Sequence, residues 1–236
     1  MKETNDLSKH GFTIIDNIYT NEEIENLLKQ INQTSTDKDT FRKSADLFAI
    51  RQFLKEVPET IDMVFNQKLK TILKNVFTQN FFVVKSIYFD KPGSSNWYVS
   101  YHQDLTISVD KKREFKRFQF WTIKQKQFAV QPPLEILQNI ATVRIHLDQT
   151  DKNNGALKVI PQSHLKGIYR PENIDWNLEK EVYCNVSKGG IMLMKPLLLH
   201  SSGRTTNDSP RRVIHIEISS LELPSGLNWA ERININ

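Results

Sequence analysis

The chain has 236 residues, of which 39% are hydrophobic and 25% charged, with a formal charge of +5 and a pI near 9.1. These values fit one soluble domain large enough to bury a core without staples. The single cysteine, Cys184, excludes an intrachain disulfide and fits a reducing compartment. No apolar run approaches the roughly 18 residues of a membrane span, and Met-Lys-Glu-Thr-Asn-Asp is too polar for a signal peptide. Cytoplasmic residence is therefore the default expectation, with no membrane partner. The basic excess crowds into Lys111, Lys112, Arg113, Lys116, Arg117, Lys124 and Lys126. It is either a solvated loop or an anion-collecting surface. No helix-turn-helix, zinc-finger or RNA-binding signature accompanies it, so nucleic acid is not expected.

In chain order, residues 10–18 predict a short buried strand after a glycine turn. Thr20 with Glu23 forms a capping box, and Ile24, Leu27, Leu28 and Ile31 follow as the apolar face of a helix. Residues 33–44 are polar and predict a loop. Helical patterns span about 46–57 and 59–77, separated by Pro58. From residue 80 the character changes to strands. Phe81–Phe89 is rich in β-formers and Lys91-Pro-Gly-Ser-Ser breaks it. A strand over 97–104 follows. Residues 109–131 are basic and aromatic (Phe115, Phe118, Phe120, Trp121, Phe128) and read as an inserted lid or long loop. A short helix is expected over 133–139. Ala141–Asp148 alternates, with Val143, Ile145 and Leu147 on one face and Thr142, Arg144, His146 and Asp148 on the other. Strands are expected at 157–161, 181–186, 189–194 and 211–219. Helices followed by many short strands point to a closed sheet or jelly roll with N-terminal helices packed on it. The domain boundaries expected are 1–236 in one unit, with a helical part over 1–79, a β core over 80–223 and an insert over 109–140.

The chemistry concentrates in Tyr98-Val-Ser-Tyr-His-Gln-Asp-Leu105. On a strand, His102 and Asp104 share a face. One imidazole and one carboxylate then supply two-thirds of the 2-His-1-carboxylate triad that holds non-haem Fe(II). The short pattern alone is common. His200 closes the apolar run Leu197-Leu-Leu where a strand should emerge at a barrel mouth. His146 and His215 lie mid-strand and fit satisfied core histidines as well, and His164 fits a turn. Arg211, eleven positions after His200, can grip a carboxylate with two parallel hydrogen bonds. Arg212 points to the opposite face, and a shift of one residue would exchange the two.

These motifs resemble the phytanoyl-CoA dioxygenase family of Fe(II)/2-oxoglutarate oxygenases. The opening Gly-Phe-Thr-Ile-Ile-Asp-Asn, His102-Gln-Asp-Leu105, Asn154-Gly-Ala-Leu-Lys-Val-Ile-Pro-Gln-Ser-His164 and the His200–Arg211 spacing carry the resemblance over most of the chain. It implies a double-stranded β-helix and iron ligation by His102, Asp104 and His200. It implies that Arg211 and Ser202 bind the distal carboxylate of 2-oxoglutarate, and that Lys85 and Arg144 are further cosubstrate contacts. Gln162 stands where the family usually has Gly. The implied reaction uses dioxygen and releases succinate and carbon dioxide while hydroxylating a small molecule. Halogenating relatives lack the carboxylate that Asp104 provides. The basic insert suggests an anionic group on the substrate. Two other readings stay open: a non-catalytic β-helix protein that binds a ligand or partner, and a jelly-roll metalloenzyme that uses iron without 2-oxoglutarate.

Overall fold

The computed structural model describes residues 2–34, 39–43, 48–78, 80–93, 97–124 and 127–235. Helix α1 (Lys2–His10) comes first, an element the sequence reading does not foresee. Its composition is polar, and buried Leu7 is what fixes it to the body. Strand β1 (Phe12–Ile15) leads to α2 (Asn21–Asn32). The expected capping box is present: the Glu23 N–H donates to Thr20 Oγ1 at 3.2 Å and the Thr20 N–H to Glu23 Oε2 at 2.7 Å. Ile24, Leu27, Leu28 and Ile31 are its buried face, as their spacing predicts.

The next stretch departs from expectation. Residues 41–43 are not loop, and 48–51 are not helix. They form β2 (Phe41–Lys43) and β3 (Phe48–Arg51), antiparallel to each other. Residues 35–38 and 44–47 of the expected loop and helix lie outside the described residues. Helix α3 (Phe53–Glu56) is all that remains of the helical pattern there. The single helix expected over 59–77 is broken into a 3-10 turn over 58–60, α4 (Ile61–Val64) and α5 (Gln67–Val76). Asn66 makes the break. Its Oδ1 caps the Leu69 N–H, while its amide donates to the Ile18 carbonyl and to Glu23 Oε1. Those last two partners are distant in sequence, so no local pattern announces them.

The strands follow: β4 (Phe82–Lys91), β5 (Val99–His102), β6 (Ile107–Val109), β7 (Gln119–Lys124) and β8 (Gln127–Gln131). After α6 (Leu134–Asn139) come β9 (Ala141–His146), β10 (Leu157–Val159), β11 (Val182–Tyr183), β12 (Ile191–Met194), β13 (His200–Ser202), β14 (Arg211–Ser219) and β15 (Ile233–Asn234). The major sheet runs β1-β12-β9-β14-β4-β3-β2, with β15 also on β4. The smaller sheet runs β11-β10-β13-β5. All of these pairings are antiparallel. The insert is no irregular loop: β6, β8 and β7 make a third sheet. Lys126 lies outside the described residues.

The alternation of β9 explains its placement. Val143, Ile145 and Leu147 join Ile214, Ile216 and Ile218 of β14 under α2 and α5. Each such side chain, fully removed from water, contributes on the order of 1.5–3 kcal/mol. Thr142, Arg144 and His146 occupy the opposite face and are also buried. The polar face is therefore the inner one, enclosed between the two main sheets. Gln162 holds φ +67° in the turn before His164. That left-handed conformation suits Gly better, and the Gln162 N–H bond to the His10 carbonyl helps secure it.

Candidate functional site

Two register shifts in the sheets aim the functional side chains. On β5, His102 pairs with His200, but Val99 pairs with Ser202, so β5 spends one residue more than β13 over this interval. The extra residue turns Val99 and His102 to the same side, and both line one cavity with His200 and Ser202. On β4, Lys85 pairs with Glu217 and Val83 with Ile218. The bulge between them resets the alternation, so that Lys85, Ile87 and Phe89 all line the cavity. Strand β5 stops at His102 rather than at 104. Asp104 reaches the site from beyond the strand, where its N–H is held by the Pro196 carbonyl. Gln103 pins this corner, its amide donating to the Gly167 and Leu197 carbonyls and its Oε1 accepting from the Tyr169 N–H.

The three expected ligands converge. One donor atom from each of His102, Asp104 and His200 lies within 4.8 Å of the others. His200 Nε2 is 3.8 Å from Asp104 Oδ2, and the two imidazole centroids are 4.2 Å apart. Their tautomers follow from hydrogen bonding. His102 Nδ1 lies 2.8 Å from the Ser100 carbonyl, and His200 Nδ1 lies 2.8 Å from the Leu198 carbonyl. A carbonyl only accepts, so both Nδ1 atoms carry the proton and both Nε2 lone pairs face the centre. Burial pushes His200 down to about 4, which keeps it neutral and ready to ligate. Burial opposes ionisation of Asp104, but the attraction of His200 in its protonated form, of the Lys85 ammonium and of His215 and His102 when protonated outweighs this and holds its carboxyl well below the usual carboxylate range. Its Oδ2 has no hydrogen-bond partner. Two Nε2 atoms and one unpartnered carboxylate oxygen are a donor set that fits a divalent metal with open positions.

The cavity measures about 140 Å³ and is walled by Ile87, Phe89, Trp97, Val99 and Leu157 beside the polar groups. Arg211 lines it, 5% exposed, its Nη1 donating to the Gly155 carbonyl at 2.5 Å and its Nε unpartnered. Desolvation, with Arg144 nearby, brings its guanidinium down to about 9. Arg212 turns outward to Asp148, with Nη2 2.6 Å from Oδ1, as the alternation predicts. Ser202 and Arg144 also line the cavity. Lys85 does too, but its ammonium is 2.6 Å from Glu217 Oε1.

Glu217 is the residue that sequence reasoning passed over, and His215, read there as fitting a satisfied core histidine, lines the cavity. Both are buried on the inner face of β14, where polar residues at 211, 215, 217 and 219 alternate with Ile214, Ile216 and Ile218. That alternation was the available signal. Asp104, His215 and Glu217 also bring donor atoms within 4.8 Å of one another. Glu217 is committed to Lys85, however, and His215 to Arg144. His164 bonds the Ser8 carbonyl at 3.0 Å and serves structure. Among the described residues, no cation of the insert lines the cavity. Arg117 pairs with Glu135 at 2.7 Å, and Arg113 donates to the Gly226 carbonyl. A larger groove of about 970 Å³ by α5 and β15 contains none of the converging groups.

A family model described as phytanoyl-CoA dioxygenase matches residues 7–213. No curated protein matches the sequence. Among solved structures, EctD from S. alaskensis with 2-oxoglutarate and 5-hydroxyectoine aligns at TM-score 0.70 and 15% identity, over 92% of this chain and 75% of that one. HygX from Streptomyces hygroscopicus, with nickel, 2-oxoglutarate and hygromycin B bound, aligns at 0.67 and 13%, over 100% and 96%. The carbocyclase SnoK from nogalamycin biosynthesis, non-haem and α-ketoglutarate-dependent, aligns at 0.65 and 14%, over 94% and 84%. At these identities the likeness bears on the fold, which is the jelly roll the sequence predicts. Among the described residues no helix is long and apolar enough to cross a membrane.

Proposed function

The chain belongs to the phytanoyl-CoA dioxygenase family, and from that premise we propose that it is an Fe(II)- and 2-oxoglutarate-dependent oxygenase that hydroxylates a small molecule. The observation that carries the reading is the pairing of two metal-facing Nε2 atoms and the unpartnered Asp104 oxygen with a buried guanidinium in the same cavity. In this reading His102, Asp104 and His200 hold the metal. Arg211 and Ser202 bind the distal carboxylate of the cosubstrate. Arg144 and Lys85, which line the same cavity, are further cosubstrate contacts, the Lys85 ammonium being held in place by Glu217.

Together, Fe(II) and 2-oxoglutarate would supply oxidative decarboxylation to succinate and carbon dioxide, coupled to oxidation of the substrate by dioxygen. The chain's own residues prepare that chemistry. The Ser100 and Leu198 carbonyls hold the imidazoles in the ligating tautomer. Arg211 fixes orientation, because a guanidinium donates in a rigid fork. Ile87, Phe89 and Trp97 keep water from the reacting centre. Asp104 fills the third protein position, which favours hydroxylation over halide transfer. SnoK, described as a carbocyclase, has the same fold, so the fold alone does not choose the outcome. An anionic group on the substrate rests on exposed Lys112 and Lys116 of the insert; unchanged substrate affinity after both are neutralised removes it.

Anaerobic titration with Fe(II) and 2-oxoglutarate tests the assignment through the weak visible charge-transfer band of the chelate. The band should form in the native protein and vanish in His102→Ala and Arg211→Ala. Iron binding without a band would instead support an iron-only enzyme. Failure to bind iron would support the non-catalytic reading.

A further inference from the structure

The chain's basic excess is local. Seven of its 32 lysines and arginines and two of its 27 acids lie between residues 109 and 131, so the +5 of the whole chain is the +5 of this segment, and the remainder is balanced. The fold turns the segment into the sheet β6-β8-β7 and keeps its described cations out of the cavity. Lys111, Lys112, Arg113, Lys116 and Arg117 are all exposed, as is the acid Glu114. Arg117 pairs with Glu135, and Arg113 is held by the Gly226 carbonyl and the Phe115 ring. Lys111 stands 4.0 Å from Asp110, which also accepts from Asn228. Lys112 and Lys116 have no carboxylate partner among the described residues.

One side of this sheet is core, where Ile107, Val109, Phe118 and Val130 pack with Phe82 and Leu197. Its free edge is β7, which among the described residues pairs with β8 alone. Two large apolar side chains stand in solvent there, Phe120 65% and Ile123 60% exposed. They are three residues apart, roughly 10 Å along a strand. Phe120 has φ +53°, where the register of β7 on β8 shifts between Gln119 and Thr122. A bulky residue in that left-handed region is strained, and its exposed ring returns little to folding.

Apolar tips beside a cluster of cations fit an anionic bilayer surface. The tips enter the headgroup layer while lysines meet the charged headgroups. Five of the seven cations are lysine. Lysine is depleted in protein interfaces and is a hydrated point charge without the rigid fork that reads a fixed partner, so an acidic protein fits less well. Single-stranded nucleic acid fits less well because Ile123 offers no ring on which a base could stack. The sequence excludes a membrane span, and a peripheral contact needs none.

We propose that the β7 edge of the insert docks peripherally on an anionic phospholipid surface, with Phe120 and Ile123 entering the headgroup layer and Lys111, Lys112, Arg113 and Lys116 meeting the lipid anions. Docking at this edge is independent of the chemistry in the cavity.

Co-sedimentation of the full chain with vesicles tests this, using phosphatidylcholine alone and its one-to-one mixture with phosphatidylserine. The protein should bind the mixed vesicles at least about 10-fold more tightly, and lose most of that preference at about 1 M salt, where the screening length falls to about 3 Å. Lys112→Gln combined with Lys116→Gln should weaken binding roughly 10- to 30-fold. Lys152→Gln combined with Lys180→Gln removes the same charge from exposed positions elsewhere and should bind as the native protein does. Phe120→Ser and Ile123→Ser should each weaken binding roughly 5- to 10-fold with the charge intact. Phe120→Gly relaxes the left-handed residue, so it should melt no lower than native protein while still losing affinity, which separates docking from folding. An equal loss in the Lys152 and Lys180 variant would mean that net charge alone acts, and would overturn the proposal. So would the absence of any preference for mixed vesicles at low salt, or Phe120 and Ile123 variants that bind as native protein. Tighter binding to single-stranded RNA or to polyglutamate than to the mixed vesicles would move the patch to nucleic acid or to an acidic protein, and overturn it too.

Discussion

Replacing Arg211 with Met should make the ligand-free protein more stable while abolishing its response to 2-oxoglutarate. The guanidinium is 5% exposed, has a cation as its charged neighbour, and is satisfied through the Gly155 carbonyl but not at Nε. Burial brings it down from its ordinary value to about 9. At about 1.36 kcal/mol per pH unit, that difference caps the folding penalty near ~5 kcal/mol. A cation whose folded-state pKa is depressed opposes folding while protonated. The penalty is therefore complete below pH 9 and fades only as pH rises above it, so it acts in full at pH 7.5. Removing the charge also leaves the Gly155 carbonyl without its partner, which costs roughly 1–3 kcal/mol. The net gain should be ~2 kcal/mol, or roughly 4–8 °C in melting temperature for a chain of this size. Thermal melts at pH 7.5, with nickel present, provide the assay. Native protein should gain about 2.7 kcal/mol at 2-oxoglutarate concentrations near 100 times Kd, and the Met variant should gain nothing. A Met variant that melts below the native protein and still rises with 2-oxoglutarate would refute the reasoning.

Three further outcomes are expected. Asp104→Ala should weaken nickel binding by more than ~100-fold in a competition titration, because the carboxylate is the anionic member of the donor set; affinity within a few-fold of native would mean that the ligand is misassigned. Glu231 is 1% exposed, accepts from the Ser86 N–H at 2.6 Å, and is pushed up by burial to about 7. A raised carboxyl pKa gives stability that is complete below the unfolded value and lost as pH rises through 7, so native protein should lose roughly 2–3 kcal/mol from this group between pH 5 and 8. Urea unfolding of Glu231→Gln should lack that component; identical pH dependence in the two proteins would exclude it. Gly155 has φ +86°, and a Cβ there would sit 3.0 Å from both the Gly203 carbonyl oxygen and Lys91 Nζ. Gly155→Ala should cost roughly 1–3 kcal/mol and weaken 2-oxoglutarate by displacing the carbonyl that anchors Arg211. Unchanged melting temperature and affinity would show that the turn is not under this constraint.

The comparison of α2 with β3 shows why some elements were legible and others were not. The α2 helix announces itself because its cap, its acidic first turn and its apolar stripe are all local. The segment 48–51 carries a helical pattern but becomes a strand because β4 offers it an edge, and the register Phe48↔Asp90 to Arg51↔Ile87 supplies the backbone bonds. Tertiary pairing overrides propensity there. The insert is similar. Its aromatic residues suggest a lid, yet Ile107, Val109, Phe118 and Val130 are core residues that pack with Phe82 and Trp229.

The residues of the site were legible for a related reason. His102, Asp104, His200 and Arg211 stand in short motifs whose spacing is a property of the chain, as are the alternation of β9 and the bounds of β14. Their aim was not legible. Side-chain direction in a strand changes with every residue, and a single bulge reverses all that follow. The bulges on β4 and β5 exist only because β14 and β13 pair with those strands in a particular register. The partners of Lys85, Arg144 and Asp104 are likewise separated from them by long stretches of chain. Sequence determined which donors and cations the protein carries and which strands bear them. Tertiary structure decided which of them meet, because register across strands is fixed by packing and not by neighbours along the chain.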